Sequence, residues 1–216
     1  MWTNSSTIHA CVLAVFCAVV PGGTYAQAAS RAVAAQRPGA HATAPPREEL
    51  RVPAVRWFTD RPRQYVLLEP FKYVPPQSRE PIVVPAGFVT DFASIPTPLQ
   101  GAFGPSVHDL PALVHDYLYW RQSCSRTQAD GVFYAALDVV GVSTVRRMAI
   151  RVGLTVGGPT AYRENARERK ERLPRVVPSQ YLSIPVTTWA QYRKELRNRR
   201  VALDPLDAAP PPYCRG

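Results

Sequence analysis

The sequence predicts an α+β protein in which a small antiparallel sheet is followed by a helical hairpin and further helices. Three observations carry this prediction. Short β-branched and aromatic runs, separated by prolines, fill residues 51–84. From residue 110 onward, apolar residues recur at helical spacing. The length of 216 residues leaves room for one domain of ordinary size, which we place at residues 50–201 with its motif core at residues 83–162.

The first 49 residues are predicted to lie outside this domain. Residues 11–20 form a run of ten apolar residues, and Pro-Gly-Gly and a small residue, Ala26, follow it. This pattern is typical of a secretory signal peptide at residues 1–26. The run is too short for a bilayer, which takes about 20 apolar residues. Residues 27–49 are rich in Ala, Pro and Arg and predict a disordered spacer. We therefore expect an exported protein, periplasmic or secreted, with no transmembrane segment after cleavage.

Four runs predict the strands, at residues 51–58, 64–69, 71–74 and 81–84, and the third either extends the second or stands alone. Prolines at 53, 70, 75, 76, 81 and 85 indicate strand edges and ends, because proline cannot donate to a ladder. The next stretch, residues 85–96, contains Asp91 and Ser94. Both side chains can shape a turn, and both can also lie at the rim of a site.

Two amphipathic helices joined by a short turn are predicted next. The first has an apolar stripe, and the second, at residues 126–140, shows a 3.6-residue period. His115 lies eight residues before Ser123 and Asp130 lies seven after it, so an antiparallel hairpin brings the two side chains level. Asp130 falls on the edge of its stripe and needs a polar partner there. By register, His115 is the nearest one.

The remaining segments are predicted to be helical as far as residue 200. Ser143 caps a third helix that ends near Val152, and this helix is predicted to turn Val145, Met148, Ala149 and Val152 inward. Gly157-Gly158-Pro159 is predicted to break the chain before a solvated helix at residues 163–172. A basic helix at residues 188–200 docks Trp189, Tyr192 and Leu196, and residues 202–216 form a Pro-rich, extended tail.

The chain is basic, with 26 Lys and Arg against 16 Asp and Glu and a net charge of +10. Such an exported protein is attracted to anionic lipids or other envelope polyanions, although a basic surface can also be solvated without a partner. Nucleic acid is not predicted as a partner, because export and the lack of a recognition motif argue against it. After signal removal, Cys124 and Cys214 remain. Their disulfide would pin the tail over the hairpin, and the sequence leaves its formation open.

The hairpin carries the chemically suggestive residues. A His held by a carboxylate can act as a general base, so the catalytic candidates are His115, Asp130 and Tyr119. Asp116 points about 100° away from His115 around the helix and is the candidate ligand for calcium, the candidate cofactor. The candidate binding residues are Asp91, Ser94 and Arg126. The alternative is a structural helix pair in which the same groups only hydrogen-bond one another.

His115-Asp116-x-x-Tyr119, with Asp130 on the following helix, resembles the active-site helices of secreted phospholipase A2 enzymes. The resemblance implies that His115 activates water, that Asp116 binds calcium, and that Tyr119 and Asp130 support the His. The glycine-rich calcium loop and the bracing cysteines of that family are missing from this sequence. The metal-dependent HD phosphohydrolases also use a His-Asp pair, but their ligands are spread much further along the chain.

A second resemblance covers more of the chain. Residues 87–96, then His115-Asp116-x-x-Tyr119, then residues 125–133 follow in the order typical of domain of unknown function 1353. That family occurs in bacteria and phages and has no assigned activity. The resemblance spans residues 83–162 and implies that Asp91, Ser94, His115, Asp116 and Asp130 belong to one motif set.

Two functional hypotheses follow. The first is an exported hydrolase of envelope esters or lipids that uses His115 and Asp130, assisted by calcium on Asp116. The second is a non-catalytic accessory protein, phage-derived or envelope-binding, which the basic C-terminal third and the phage connection favour.

Overall fold

The computed structural model describes residues 50–61, 63–92, 107–183, 185, 187–203 and 209–214. The predicted signal peptide, the predicted spacer and Ser94 lie outside the described residues. Within this described part of the chain, five short strands precede four α-helices, so the α+β prediction is confirmed. None of these helices is both long enough and apolar enough to cross a membrane.

The strands form two antiparallel sheets, where the sequence predicted one. The first sheet contains β1 (Val55–Trp57), β2 (Tyr65–Leu67) and β5 (Val89–Thr90), in the order β1-β2-β5. The second pairs β3 (Phe71–Tyr73) with β4 (Ile82–Val84). Pro70 separates β2 from β3 and cannot donate to a ladder, which is consistent with the change of sheet at this point.

The predicted hairpin is confirmed as α1 (Leu110–Arg121) and α2 (Arg126–Val139). Gln122 ends α1 in the left-handed conformation, and its N–H donates to the carbonyl of Leu118. Ser125 begins α2 with a capping box, since its hydroxyl accepts from the N–H of Gln128 and the Gln128 side chain accepts from the N–H of Ser125. These two caps keep the turn short and place the helices side by side.

Two predictions about the third helix, α3 (Thr144–Lys170), were wrong. It runs through Pro159 instead of breaking there, and Gly158 explains why: a residue before proline is pushed out of the helical region partly by its Cβ, which glycine lacks. The inward face is also different from the predicted one. Ile150 and Leu154 pack against α2, whereas Val145, Met148, Ala149 and Val152 are exposed.

The core surrounds α1, which is buried on nearly every side. Leu113, Leu118 and Trp120 are at most 1 % exposed and pack with residues of both sheets. A second apolar cluster joins Phe58 to α4 (Trp189–Asn198), whose buried residues are the three predicted ones, Trp189, Tyr192 and Leu196.

Gly87 allows residues 175–177, which follow α3, to pack closely against the chain at β5. Its φ is +85°, and a Cβ at this position would lie 2.0 Å from the carbonyl oxygen of Val177. The Gly87 carbonyl accepts from the Val177 N–H at 2.8 Å, and Arg175 contacts β5 in the same region. A side chain at position 87 would therefore displace the segment that carries Arg175.

Cys124 and Cys214 form a disulfide, with their Cα atoms 5.2 Å apart. Cys124 lies in the hairpin turn, and Cys214 ends a short 3-10 helix, Pro212–Cys214. Both cysteines are buried, so this end of the tail packs against the hairpin and is not extended as predicted. The hydroxyl of Tyr162 donates to the carbonyl of Cys124 at 2.7 Å and links α3 to the same turn.

Candidate functional site

Three side chains converge on the carboxylate of Asp130. Nε2 of His115 lies 2.9 Å from Oδ1, and the hydroxyl of Tyr119 donates to the same oxygen at 2.7 Å. Nη1 of Arg126 donates to Oδ2 at 2.7 Å. We call His115, Tyr119, Arg126 and Asp130 the Asp130 network. It brings together both catalytic candidates predicted on α1 and their predicted partner on α2.

Helical spacing explains why these four residues meet. His115 and Tyr119 are four residues apart on α1, and Arg126 and Asp130 are four residues apart on α2, so each pair lies on one face of its helix. The capped turn places the two faces opposite each other. The network is thus a product of the hairpin, and it needs no residue from the sheets.

Aromatic rings enclose His115. The ring of Phe133 stacks on the imidazole with centroids 4.7 Å apart, and the ring of Tyr119 lies at 4.0 Å. His115 is 7 % exposed and Asp130 is 6 % exposed. A buried carboxylate is tolerated only when it is paired and hydrogen-bonded, and the three donors supply those partners.

The protonation states follow from this geometry. Burial alone would raise the pKa of Asp130, but hydrogen bonds from His115 and Tyr119, together with the charges of His115 and Arg126, outweigh it and hold the pKa below its usual range. Burial lowers the pKa of His115 and outweighs the opposite effect of Asp130. At neutral pH, Asp130 is therefore ionised and His115 is neutral. Because an ionised carboxylate only accepts, Nε2 carries the hydrogen and Nδ1 keeps a lone pair.

Tyr119 acts in the network as a hydrogen-bond donor. Burial raises the pKa of its hydroxyl, and the hydrogen bond to Asp130 and the negative charge of Asp130 raise it further. The phenol therefore stays protonated across the physiological range. It can hold Asp130 in place but cannot take a proton from water.

Asp116 lies on another side of α1 and belongs to a second polar cluster. The hydroxyl of Thr90 donates to its Oδ2 at 2.6 Å, and the side chain of Asp91 hydrogen-bonds to it. Burial raises the pKa of Asp116 to about 7, and the charge of Asp91 adds to the effect, while Arg175 and Thr90 oppose it. Asp116 is therefore partly protonated near neutral pH and hydrogen-bonds to the side chain of Asp91.

The residues described here do not by themselves form a calcium site. No group of three or more His, Cys, Asp or Glu side chains within them could hold a metal ion. Asp91 and Asp116 provide two carboxylates, whereas calcium takes six to eight oxygen ligands, and the charge of Arg175 acts on Asp116. The assignment of calcium to Asp116 stays a prediction.

The predicted candidates thus separate into two groups. His115, Tyr119, Arg126 and Asp130 meet in the Asp130 network, Asp91 joins Asp116 in the second cluster, and Ser94 lies outside the described residues. Four residues that shape these clusters were not predicted as site residues: Thr90, Phe133, Gly158 and Arg175. Phe133 could have been found, since it stands three residues after Asp130 on the same face of α2. Arg175 and Gly158 are distant in sequence and carry no such signal.

Fold and site together define an α+β protein with a buried His-Asp network on a helical hairpin. A family model, described as a protein of unknown function (DUF1353), matches residues 65–153. The match confirms the resemblance to domain of unknown function 1353, and the matched residues run from β2 into α3. The matched residues include every member of the Asp130 network and of the polar cluster around Asp116 except Arg175. No curated protein and no solved structure matches the chain.

Proposed function

We propose that this protein is a hydrolase in which His115 acts as a general base on water. The observation that carries the proposal is the 2.9 Å contact between Nε2 of His115 and the ionised carboxylate of Asp130. This contact fixes the tautomer, so that Nδ1 is the nitrogen that can accept a proton. Tyr119 and Arg126 keep Asp130 ionised and in place.

The chemistry that this arrangement supports is ester hydrolysis. Nδ1 of His115 takes a proton from water while the water oxygen attacks the ester carbonyl. Asp130 stabilises the imidazolium that forms, and the proton then passes to the departing alkoxide. The reaction yields an acid and an alcohol and returns His115 to its neutral state. This route contains no calcium step.

We further propose that the substrate is an envelope ester or lipid and that the protein is exported. The predicted signal peptide at residues 1–26 supports export. The Cys124–Cys214 disulfide is consistent with it, since disulfides persist mainly in oxidising compartments. Mass spectrometry of the protein recovered outside the cytoplasm is expected to show a chain that begins at Gln27, and a chain that retains residues 1–26 would contradict export through this signal.

The test of the hydrolase proposal compares two histidines. The protein is assayed on short- and medium-chain nitrophenyl esters and on phospholipid vesicles, alongside His115→Ala and His108→Ala. His108 is exposed on the 3-10 turn before α1 and serves as the matched control. We expect His115→Ala to lose activity by at least about a hundredfold and His108→Ala to keep it. Equal activity of the two variants on every hydrolysed ester, with equal melting temperatures, would contradict the proposal.

A second candidate function is a non-catalytic accessory protein that binds an envelope surface. The burial of His115 favours it, because a side chain that is 7 % exposed offers little access to a substrate. The net charge of +10 also favours it, because a basic protein is attracted to anionic surfaces. This candidate predicts binding to anionic polymers or vesicles that weakens at high salt and survives His115→Ala. Binding that requires His115 would count against it.

A further inference from the structure

The outward face of α3 carries an apolar stripe that no described residue covers. Val145, Met148, Val152 and Val156 recur every three or four residues, and each side chain is 65–80 % exposed. We call this set the α3 stripe. Single exposed apolar residues are common on proteins, but four in a row on one helix face mark an interaction surface.

The stripe is distinct from the face by which α3 joins the fold. Ile150 and Leu154 pack against Phe133, Leu137 and Val142, so they hold the helix on the hairpin. At 100° per residue, the stripe lies on the opposite side of the helix from these two residues. Folding therefore does not require the apolar character of the stripe.

Positive charge borders the α3 stripe. On the helical wheel, Arg146 and Arg151 lie on its two sides, roughly 115° and 105° from its centre, and the guanidinium of Arg151 lies over the ring of Tyr134. The line of the stripe continues toward the C-terminus of α3 with exposed Arg163, Arg167 and Lys170. The helix holds seven basic residues and two carboxylates, Glu164 and Glu168, and neither carboxylate lies within the stripe. An apolar surface bordered by cations matches the boundary between headgroups and acyl chains in an anionic bilayer.

A second copy of the chain fits this surface poorly. From residue 145 to residue 156 the helix rises about 16 Å, so the stripe covers on the order of 200 Å², against about 800 Å² per partner for a stable interface. Two stripes facing each other would also bring the flanking arginines of both copies together without a carboxylate between them. Area and charge both favour a lipid surface.

We propose that α3 docks the protein on anionic lipid bilayers through this stripe. The valines and Met148 enter the boundary between headgroups and acyl chains, and Arg146, Arg163 and Lys170 contact the lipid phosphates. The proposal does not depend on the hydrolase proposal, because docking needs neither His115 nor Asp130.

The test uses the full chain with phosphatidylglycerol-containing vesicles, and pure phosphatidylcholine vesicles as the comparison. Val152→Glu places a charge in the stripe, and Val83→Glu makes the same change at an exposed valine of β4, so the two variants have equal net charge. All chains keep the same N-terminal segment, and its contribution cancels. We expect co-sedimentation affinity to fall about tenfold or more for Val152→Glu and to stay within about twofold for Val83→Glu.

A local probe makes the result specific to α3. Val152→Trp and Val83→Trp each add one fluorescent side chain to the four tryptophans of the chain, so the emission of each variant is read as its difference from the wild type under the same conditions. Anionic vesicles are expected to shift the difference emission of the first to the blue and leave that of the second unchanged. Three results would overturn the proposal: no binding by the wild type, equal affinity of Val152→Glu and Val83→Glu, or emission from Val152→Trp that is already blue without vesicles. The last result would show that a second copy or another segment of the chain covers the stripe. Thermal melting of each variant confirms that it is folded.

Discussion

Asp130 is the residue on which the hairpin chemistry depends, because its carboxylate accepts from three donors on two helices. Burial keeps the imidazole of His115 neutral, and the position of Asp130 decides its orientation and which ring nitrogen carries the hydrogen. Because an ionised carboxylate can only accept, the hydrogen of the neutral imidazole lies on Nε2. The same carboxylate, if neutral, would leave the tautomer of His115 undetermined.

Replacing Asp130 by Asn is expected to destabilise the fold by about 2–4 kcal/mol, because the buried network loses the charge that its donors require. The matched control is Asp138→Asn on the same helix. Asp138 is exposed and pairs with Arg147, so its loss is expected to cost less than about 1 kcal/mol. Urea denaturation of both variants measures the difference. Equal losses would show that the network contributes no more than a surface ion pair.

The raised pKa of Asp116 predicts a pH effect with a defined sign. The folded-state pKa of Asp116 is about 7, above the unfolded value of 3.8, so the folded chain binds the extra proton between these pH values. Its contribution to stability is present at low pH and is lost as the pH rises toward 7. His115 acts in the opposite direction below about pH 6.5, because burial lowers its pKa in the folded state.

Asp116→Asn removes one of these two effects. As the pH rises from 5 to 8, the wild type is expected to lose about 1–3 kcal/mol of stability that Asp116→Asn does not lose, since one pKa unit corresponds to about 1.4 kcal/mol. Urea denaturation at both pH values provides the measurement. A constant difference between Asp116→Asn and the wild type would mean that Asp116 titrates normally.

At the scale of the elements, α3 packs closely against two side chains of the Asp130 network. A Cβ at Gly158 would lie 3.0 Å from the hydroxyl of Tyr119 and 3.5 Å from Nη1 of Arg126. The helix can approach both side chains only because this position is glycine. Gly157, one residue earlier, would place a Cβ in open space.

These neighbours provide a matched pair of substitutions. Gly158→Ala is expected to cost about 1–3 kcal/mol, because the methyl group pushes against the hydroxyl that donates to Asp130. Gly157→Ala is expected to be neutral or to stabilise by up to about 1 kcal/mol, since alanine is the better helix former. Denaturant melts of the two variants test this, and a similar change in both would contradict a close approach at Gly158.

The elements also show what the sequence could and could not predict. The hairpin was predictable because its period, its caps and the register of His115 and Asp130 are all local. The faces of α3 were predicted wrongly, since Val145 and Met148 are as apolar as Ile150 and Leu154, and only the position of α2 selects between them. Pairing of β3 with β4 in a separate sheet likewise depends on tertiary contacts.

At the scale of the whole molecule, the disulfide ties the C-terminal end to the hairpin turn. The Cys124–Cys214 bond closes a loop of 90 residues that includes α2, α3 and α4. Cross-linking a loop of this length restricts the unfolded chain and typically stabilises a fold by about 2–4 kcal/mol. The bond also covers the turn that holds Asp130 level with His115.

Reduction is therefore expected to destabilise the protein. The Cys124→Ser, Cys214→Ser double variant is expected to unfold at lower denaturant by an amount that corresponds to about 2–4 kcal/mol, and the wild type with dithiothreitol should match it. The double variant itself should not respond to the reductant. A wild type that melts identically with and without dithiothreitol, although its thiols are shown to be free, would contradict a stabilising role.

We propose that a neutral His115, held through Nε2 by an ionised Asp130, is ready to accept a proton at Nδ1. A pH titration of the ¹⁵N resonances of the His115 ring tests it most directly, with the signals assigned by their loss in His115→Ala. We expect the Nε2–H tautomer at pH 7 and a protonation midpoint below 6.5, because burial lowers the pKa of His115. An imidazolium at pH 7, or a hydrogen on Nδ1, would contradict the claim and with it the proposed role of His115 as a base.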